Sequence, residues 1–84
     1  MFVEYGESKF INLAATKKIY IEDYGVHYGF CGIHIGSPKA AAGVLQELMT
    51  RLDEGRKVMF LREFSHLCSE FCKLWPDDSE NTDA

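Results

Sequence analysis

The chain has 84 residues, a hydrophobic share of 46% and a formal net charge of −4. This length fits one small domain, and the apolar content is high enough for a packed core, which excludes a disordered chain. Residues 77–84 contain four acids and no base, and the acids that remain equal the nine Lys and Arg in number. A neutral body lacks the broad positive potential typical of proteins that bind nucleic acid.

The same counts predict the organisation of the chain. Residues 1–76 are expected to form a single domain, and residues 77–84 an acidic, disordered tail, since the tail has no apolar residue before Ala84. Three cysteines are an odd number, which favours reduced thiols over a disulfide framework. No signal peptide and no membrane span is visible, so we expect a cytoplasmic protein.

The first third of the chain has the pattern of β-strands. Residues 2–5 and 9–13 are predicted to pair across a turn at Gly6-Glu7-Ser8. Residues 16–22 are predicted as another strand, because Ile19 and Ile21 alternate with polar neighbours.

Residues 26–35 are predicted as a third long strand with an irregular pattern. Its apolar side chains change faces at Phe30-Cys31, which indicates either a strand covered on both faces or a bulge. Gly29 and Gly32 flank this change and favour the bulge or a close backbone contact.

Helical signals follow Gly36. Ser37-Pro38 is typical of a helix start, and the helix is expected to reach Asp53 or Glu54, with Gly55 as its C-terminal cap. Residues 57–61 fit either a final strand or the start of a second helix, which is predicted over 65–74. The fold class is therefore α+β: a small antiparallel sheet of three to four N-terminal strands packed against a long helix, with a second C-terminal helix.

Residues Phe10-Ile11-Asn12-Leu13, leading into a strand, a turn, another strand and an amphipathic helix, resemble short uncharacterised bacterial and phage proteins. The resemblance covers about half of the chain. It implies an accessory or inhibitory binder, and it assigns no activity and no site residue.

Several residue pairs have spacings found in catalytic or metal sites. Cys68 and Cys72 lie one helical turn apart, and zinc would accept them together with ligands from the third strand, namely His27, Cys31 and His34. Packing of both thiols beside the apolar stripe of the second helix is the competing interpretation, and it predicts no metal site.

Two further pairs have spacings relevant to iron or catalytic sites. Glu63-x-x-His66 matches half of a di-iron motif and lacks the second pair that such sites need. His27 and Cys31 are about 13 Å apart along a strand, which is too far for a nucleophile and its base. The sequence therefore predicts neither an enzyme nor a cofactor.

Protein binding remains the favoured function. Tyr5, Tyr20, Tyr24 and Tyr28 are concentrated in the predicted sheet, and tyrosine is enriched at interfaces. We expect a protein partner, and the most concrete version is a phage or mobile-element inhibitor of a host defence complex. Open sheet edges also predict a homodimer.

The alternative function is a small nucleic-acid-binding regulator. Lys17-Lys18 lies beside Tyr20, and Arg56-Lys57 lies near Arg62. Basic residues beside exposed aromatics can bind single strands. The neutral body makes this partner the less favoured one.

Overall fold

The computed structural model describes residues 1–15 and 18–76 of the chain. It confirms the α+β class. The strands are β1 Phe2–Gly6, β2 Lys9–Asn12, β3 Glu22–Asp23, β4 Tyr28–Phe30, β5 Ile33–Gly36 and β6 Val58–Met59. The helices are α1 Pro38–Asp53 and α2 Leu61–Leu74, and a single 3-10 turn covers Leu13–Ala15. The predicted tail lies outside the described residues.

The strands form two small sheets and not the single antiparallel sheet that we expected. The first has the order β2-β1-β6, and the second has the order β3-β4-β5. Strand β6 pairs with β1 in parallel, whereas the other pairings are antiparallel. A parallel partner needs a crossover connection, and here the chain returns to β1 only after α1.

The first hairpin agrees with its prediction. Phe2 pairs with Asn12 and Val3 with Ile11, and the chain turns where Ser8 has a φ of 56°. The register shifts between Glu4 and Gly6, which identifies Tyr5 as a bulged residue.

The strand predicted over residues 16–22 is wrong for most of its length. Within its described part, only Glu22 belongs to a strand, and Thr16 and Lys17 lie outside the described residues. Ile19 and Ile21 pack against the core without joining a sheet. These two side chains alternate with exposed neighbours because one side of this connecting segment is partly buried. Such an alternation is not enough to make a strand, which also needs a neighbouring strand to pair with.

Residues 26–35 contain a hairpin and not one long strand. Cys31 and Gly32 form the turn between β4 and β5, with φ values of 53° and 80°. Two consecutive positive φ angles are typical of a type I′ turn, whose twist matches that of the flanking strands. The change of apolar face at Phe30-Cys31 is therefore a reversal of the chain. A register irregularity is present one step earlier, between Tyr28 and Gly29.

The long helix begins and ends as predicted. Ser37 Oγ accepts a hydrogen bond from Ala40 N at 3.2 Å, Pro38 is the first helical residue, and Gly55 has a φ of 92° just beyond the helix. The undecided segment 57–61 is resolved into a two-residue strand, after which α2 starts at Leu61.

The core lies where both helices meet the two sheets. Helix α1 packs on β4 and β5, α2 packs on β1 and β5, and the helices contact each other. The largest fully buried side chains are Phe30, Leu48, Met59, Val3 and Val44. A Cβ atom at Gly43 would lie 2.5 Å from the Phe71 ring, so glycine permits this close approach of the helices. In the described part of the chain, no helix is both long enough and apolar enough to span a membrane.

Candidate protein-binding surface

The outer face of the first sheet follows from the alternation of side chains along β1. Val3 is fully buried, so Phe2 and Glu4 project from the opposite side of the strand. Directly paired residues share a face of a sheet. Phe2 therefore lies between Asn12 and Val58, and Glu4 lies beside Phe10.

Three phenylalanines dominate this surface. Phe2 is 50% exposed, Phe10 47% and Phe60 60%. Phe60 directly follows the buried Met59 and has an extended backbone, which places its ring on the same side as Val58. We call Phe2, Phe10, Val58 and Phe60, with Glu4 among them, the aromatic face.

One oxygen of the Glu4 carboxylate is hydrogen-bonded within the chain. Its Oε1 accepts a hydrogen bond from Leu61 N at 3.0 Å, at the first residue of α2. The helix N-terminus favours a carboxylate, and Phe60, the N-cap residue, provides no side-chain hydrogen bond of its own. This contact orients the Glu4 side chain across the aromatic face toward the start of α2.

The four predicted tyrosines do not lie on one sheet. Tyr5 is the exposed bulge of the first sheet, whereas Tyr28 is half-buried in β4 of the second. Tyr20 is exposed in the connection that precedes β3. Their use as an interface stays a prediction.

Tyr24 has a role within the fold. Its hydroxyl accepts a hydrogen bond from Gly32 N at 2.7 Å and donates one to Glu22 Oε1 at 3.2 Å. Its ring stacks on His34 with the centroids 4.5 Å apart. Desolvation, together with the nearby Glu22 carboxylate, raises the pKa of Tyr24. These contacts hold the β4–β5 turn.

Sequence reasoning missed the phenylalanines. Residues 2–5 were recognised as a strand, but Phe2 was not assigned to its exposed side. The alternation of Phe2 with Val3 and the pairing of Phe10 with Glu4 would have placed both rings on one face. Phe60 gave no such signal, since its segment fitted a strand and a helix equally well.

The three cysteines have different surroundings in the fold. Burial raises the pKa of the Cys68 thiol to about 12, with a smaller contribution from Cys72. Cys72 Sγ donates to Ile35 O at 3.3 Å, and Cys31 occupies the β4–β5 turn. Within residues 1–15 and 18–76, no group of three or more His, Cys, Asp and Glu is arranged to hold a metal ion.

Glu63 is bound by arginines. Arg51 Nη1 and both terminal nitrogens of Arg56 donate to its carboxylate, and Arg51 also pairs with Glu47 at 3.0 Å. These hydrogen bonds, above all that of Arg56, hold the pKa of Glu63 below its usual value. Arg56 Nε donates to Val58 O at 2.9 Å, so this cluster joins α1, β6 and α2. Arg56, one of the candidate nucleic-acid contacts in the sequence, therefore uses its guanidinium for hydrogen bonds within the chain.

A cleft of about 270 Å³ lies where the start of α1 meets the end of α2. Its lining comprises His27, Ile35, Gly36, Ser37, Cys72, Trp75 and Pro76. Ser37 Oγ donates to Trp75 O at 2.5 Å, and Lys39 Nζ lies 4.8 Å from the centroid of the Trp75 ring. These contacts tie the two helix ends together.

Comparison with protein-family models finds no family that matches the chain, and searches of curated proteins and of solved structures find no match either.

Proposed function

We propose that this protein is a non-enzymatic protein-binding module that acts through its aromatic face. The observation that carries the proposal is the exposure of Phe2, Phe10 and Phe60 on one side of a three-stranded sheet. Aromatic side chains, phenylalanine included, are enriched in the buried cores of protein interfaces. The hydrogen bond from Leu61 N to Glu4 supports the same function, because it gives one oxygen of the carboxylate within this face a partner inside the chain.

Phe60 adds an independent argument. Ser, Thr, Asp and Asn are the residues preferred at a helix N-cap, and phenylalanine there leaves donors of the first turn without a side-chain partner. A residue that fits its local structure poorly and exposes its ring is expected where binding requires that ring.

The more specific form of the proposal is a cytoplasmic inhibitor from a phage or mobile element that covers a surface of a host defence complex. Its support is the resemblance of the N-terminal half to small phage and bacterial proteins. The competing function is a nucleic-acid-binding regulator.

Capture from a bacterial lysate tests the proposal with a matched pair of variants. The bait is the tagged full chain, either unchanged or carrying Phe60→Ser, and Leu74→Ser is the control. Leu74 is 66% exposed at the end of α2 and is not part of the aromatic face. We expect a protein to be retained by the unchanged chain and by Leu74→Ser and to be lost with Phe60→Ser.

Two outcomes would contradict the proposal. Equal retention by all three baits would show that the aromatic face does not bind the captured protein. Recovery of DNA or RNA that elutes as salt is raised would instead support the nucleic-acid regulator, because phosphate contacts weaken with salt.

A further inference from the structure

Glu4 is the charged member of the aromatic face, and phenylalanines border it on three sides. Phe10 is its direct partner across β1 and β2, and Phe2 lies two positions earlier on the same side of β1. Continuing the parallel register of β1 with β6 by one residue brings Phe60 beside Glu4. The 3.0 Å hydrogen bond from Leu61 N to Glu4 Oε1 holds the start of α2 at this position. The carboxylate is therefore surrounded by exposed aromatic rings.

The Glu4 carboxylate has one oxygen available to a partner. Leu61 N donates to Oε1, and in residues 1–15 and 18–76 the other oxygen, Oε2, accepts no hydrogen bond. No lysine or arginine in that part of the chain forms an ion pair with Glu4. Burying a carboxylate costs free energy unless a donor or a cation pairs with it. A partner that covers the aromatic face must therefore bring such a group to Oε2.

The surrounding rings favour a cation over a neutral donor. The face of a phenylalanine ring attracts a cation that lies within about 6 Å of the ring centre. Directly paired residues have Cβ atoms about 4.5–5.5 Å apart, so a cation on Glu4 Oε2 lies within reach of the Phe10 ring. Arginine satisfies both groups, because its planar guanidinium stacks on an aromatic ring while its N–H groups donate to a carboxylate. Lysine is less suited, since its ammonium is a compact and strongly hydrated charge.

We propose that the aromatic face takes an arginine side chain of a partner protein, with its guanidinium donating to Glu4 Oε2 and stacked against the Phe10 ring. Apolar residues on either side of that arginine then cover Phe2 and Phe60. The positive charge of arginine complements the single negative charge of the face, which favours such a segment over an acidic one. This proposal rests on the proposed function, because it names the side chain by which the partner is recognised.

NMR titration of the isotope-labelled full chain with an acetylated Leu-Arg-Leu amide tests the site. The comparison peptides carry lysine or citrulline in place of arginine, and citrulline has the shape of arginine without its charge. We expect the arginine peptide to shift the amide resonances of residues 2–4, 10 and 60–61, the lysine peptide to bind more weakly, and the citrulline peptide to bind about tenfold more weakly.

Two variants of the full chain complete the titration. Glu4→Gln keeps an oxygen that can accept from Leu61 N but removes the charge, so it should bind the arginine and citrulline peptides equally. Glu7→Gln is the matched control, because Glu7 lies in the turn between β1 and β2 and is not part of the aromatic face. It should behave like the unchanged chain. Circular dichroism checks that each variant is folded.

The arginine site would be overturned if the unchanged chain bound the arginine peptide no more tightly than either comparison peptide, or if the preference for arginine persisted in folded Glu4→Gln. The lysate capture separates this result from the proposed function. If Phe60→Ser loses the captured protein and Glu4→Gln retains it in full, the site is wrong and the proposed function stands. If both variants retain the protein, the proposed function is wrong, whatever the peptides show.

Discussion

At the scale of single residues, Glu63 gives the clearest dependence on pH. Its pKa is lowered in the folded chain, chiefly by Arg56, so its contribution to stability is present above the unfolded pKa. That contribution is lost as pH falls through the folded pKa and the carboxylate becomes protonated. We expect Glu63→Gln to lower the melting temperature at pH 7 and to have a smaller effect at about pH 3, below the ordinary glutamate pKa of about 4.3.

Glu70→Gln is the matched control, since Glu70 lies on the same helix and its contact with Lys73 at 3.6 Å is exposed. Thermal melts of the three proteins at both pH values measure the difference. A Glu63→Gln effect that is the same at pH 7 and at about pH 3 would show that the two arginines do not stabilise the fold through the charge of Glu63.

At the scale of elements, we expect that replacing the N-cap residue of α2, Phe60, increases stability. Phe60→Ser places a preferred N-cap residue before the helix, where Ser Oγ can accept from Arg62 N or Glu63 N. The Glu4 hydrogen bond to Leu61 N uses a different donor. We expect the free energy of unfolding to rise by about 0.5–2 kcal/mol, measured by urea denaturation.

Phe60→Ala, which removes the ring without adding an oxygen, is the comparison for this measurement. If Ser and Ala give the same stability, the N-cap position is not limiting for α2. If Phe60→Ser is more stable than the unchanged chain and no longer retains its protein partner, the loss of binding is not caused by unfolding.

Local signals in the sequence predicted some of these elements and not others. Helix α1 was recognised because Ser37, Pro38 and Gly55 each act within a turn of the helix end. A strand depends on a pairing partner that can be remote in sequence. Ile19 and Ile21 have the alternation of a strand but do not pair with one, and they pack against the core instead. The two-residue β6 is shorter than the run of about four to eight residues over which strand alternation can be recognised, and its pairing with β1 defines it.

At the scale of the whole molecule, Leu48 tests the shared core. It is 1% exposed on α1 and belongs to the core cluster that includes Val3 of one sheet and Phe30 of the other. We expect Leu48→Ala to cost about 2–5 kcal/mol, a large share of the roughly 5–10 kcal/mol total of a small domain. Urea denaturation measures this change, with the exposed Leu74→Ala as control. A loss below about half a kcal/mol would contradict the packing described for α1.

The aromatic face is assembled from segments that are far apart in the chain. For this reason the sequence alone did not predict it. Phe2, Phe10 and Phe60 come from three separate strands or strand ends, and the parallel pairing of β1 with β6 brings the third to the other two. The tyrosines are predicted as an interface because they are concentrated in the predicted sheet and tyrosine is favoured at interfaces. The structure instead places Tyr5 in the first sheet, Tyr28 in the second and Tyr20 in a connection, and Tyr24 holds a turn.

The hydrogen bond from Leu61 N to Glu4 joins residues 57 positions apart, and it has a consequence for the order in which the chain folds. Strand β1 is synthesised before α1, whereas its parallel partner β6 and helix α2 follow α1. Closing so long a loop carries an entropic cost before any contact compensates it. The β1–β2 hairpin and α1 can form early from local contacts, but β1 keeps one side unpaired until residues 58–61 arrive. During synthesis, strand β1 therefore stays without its parallel partner until after α1 has been made.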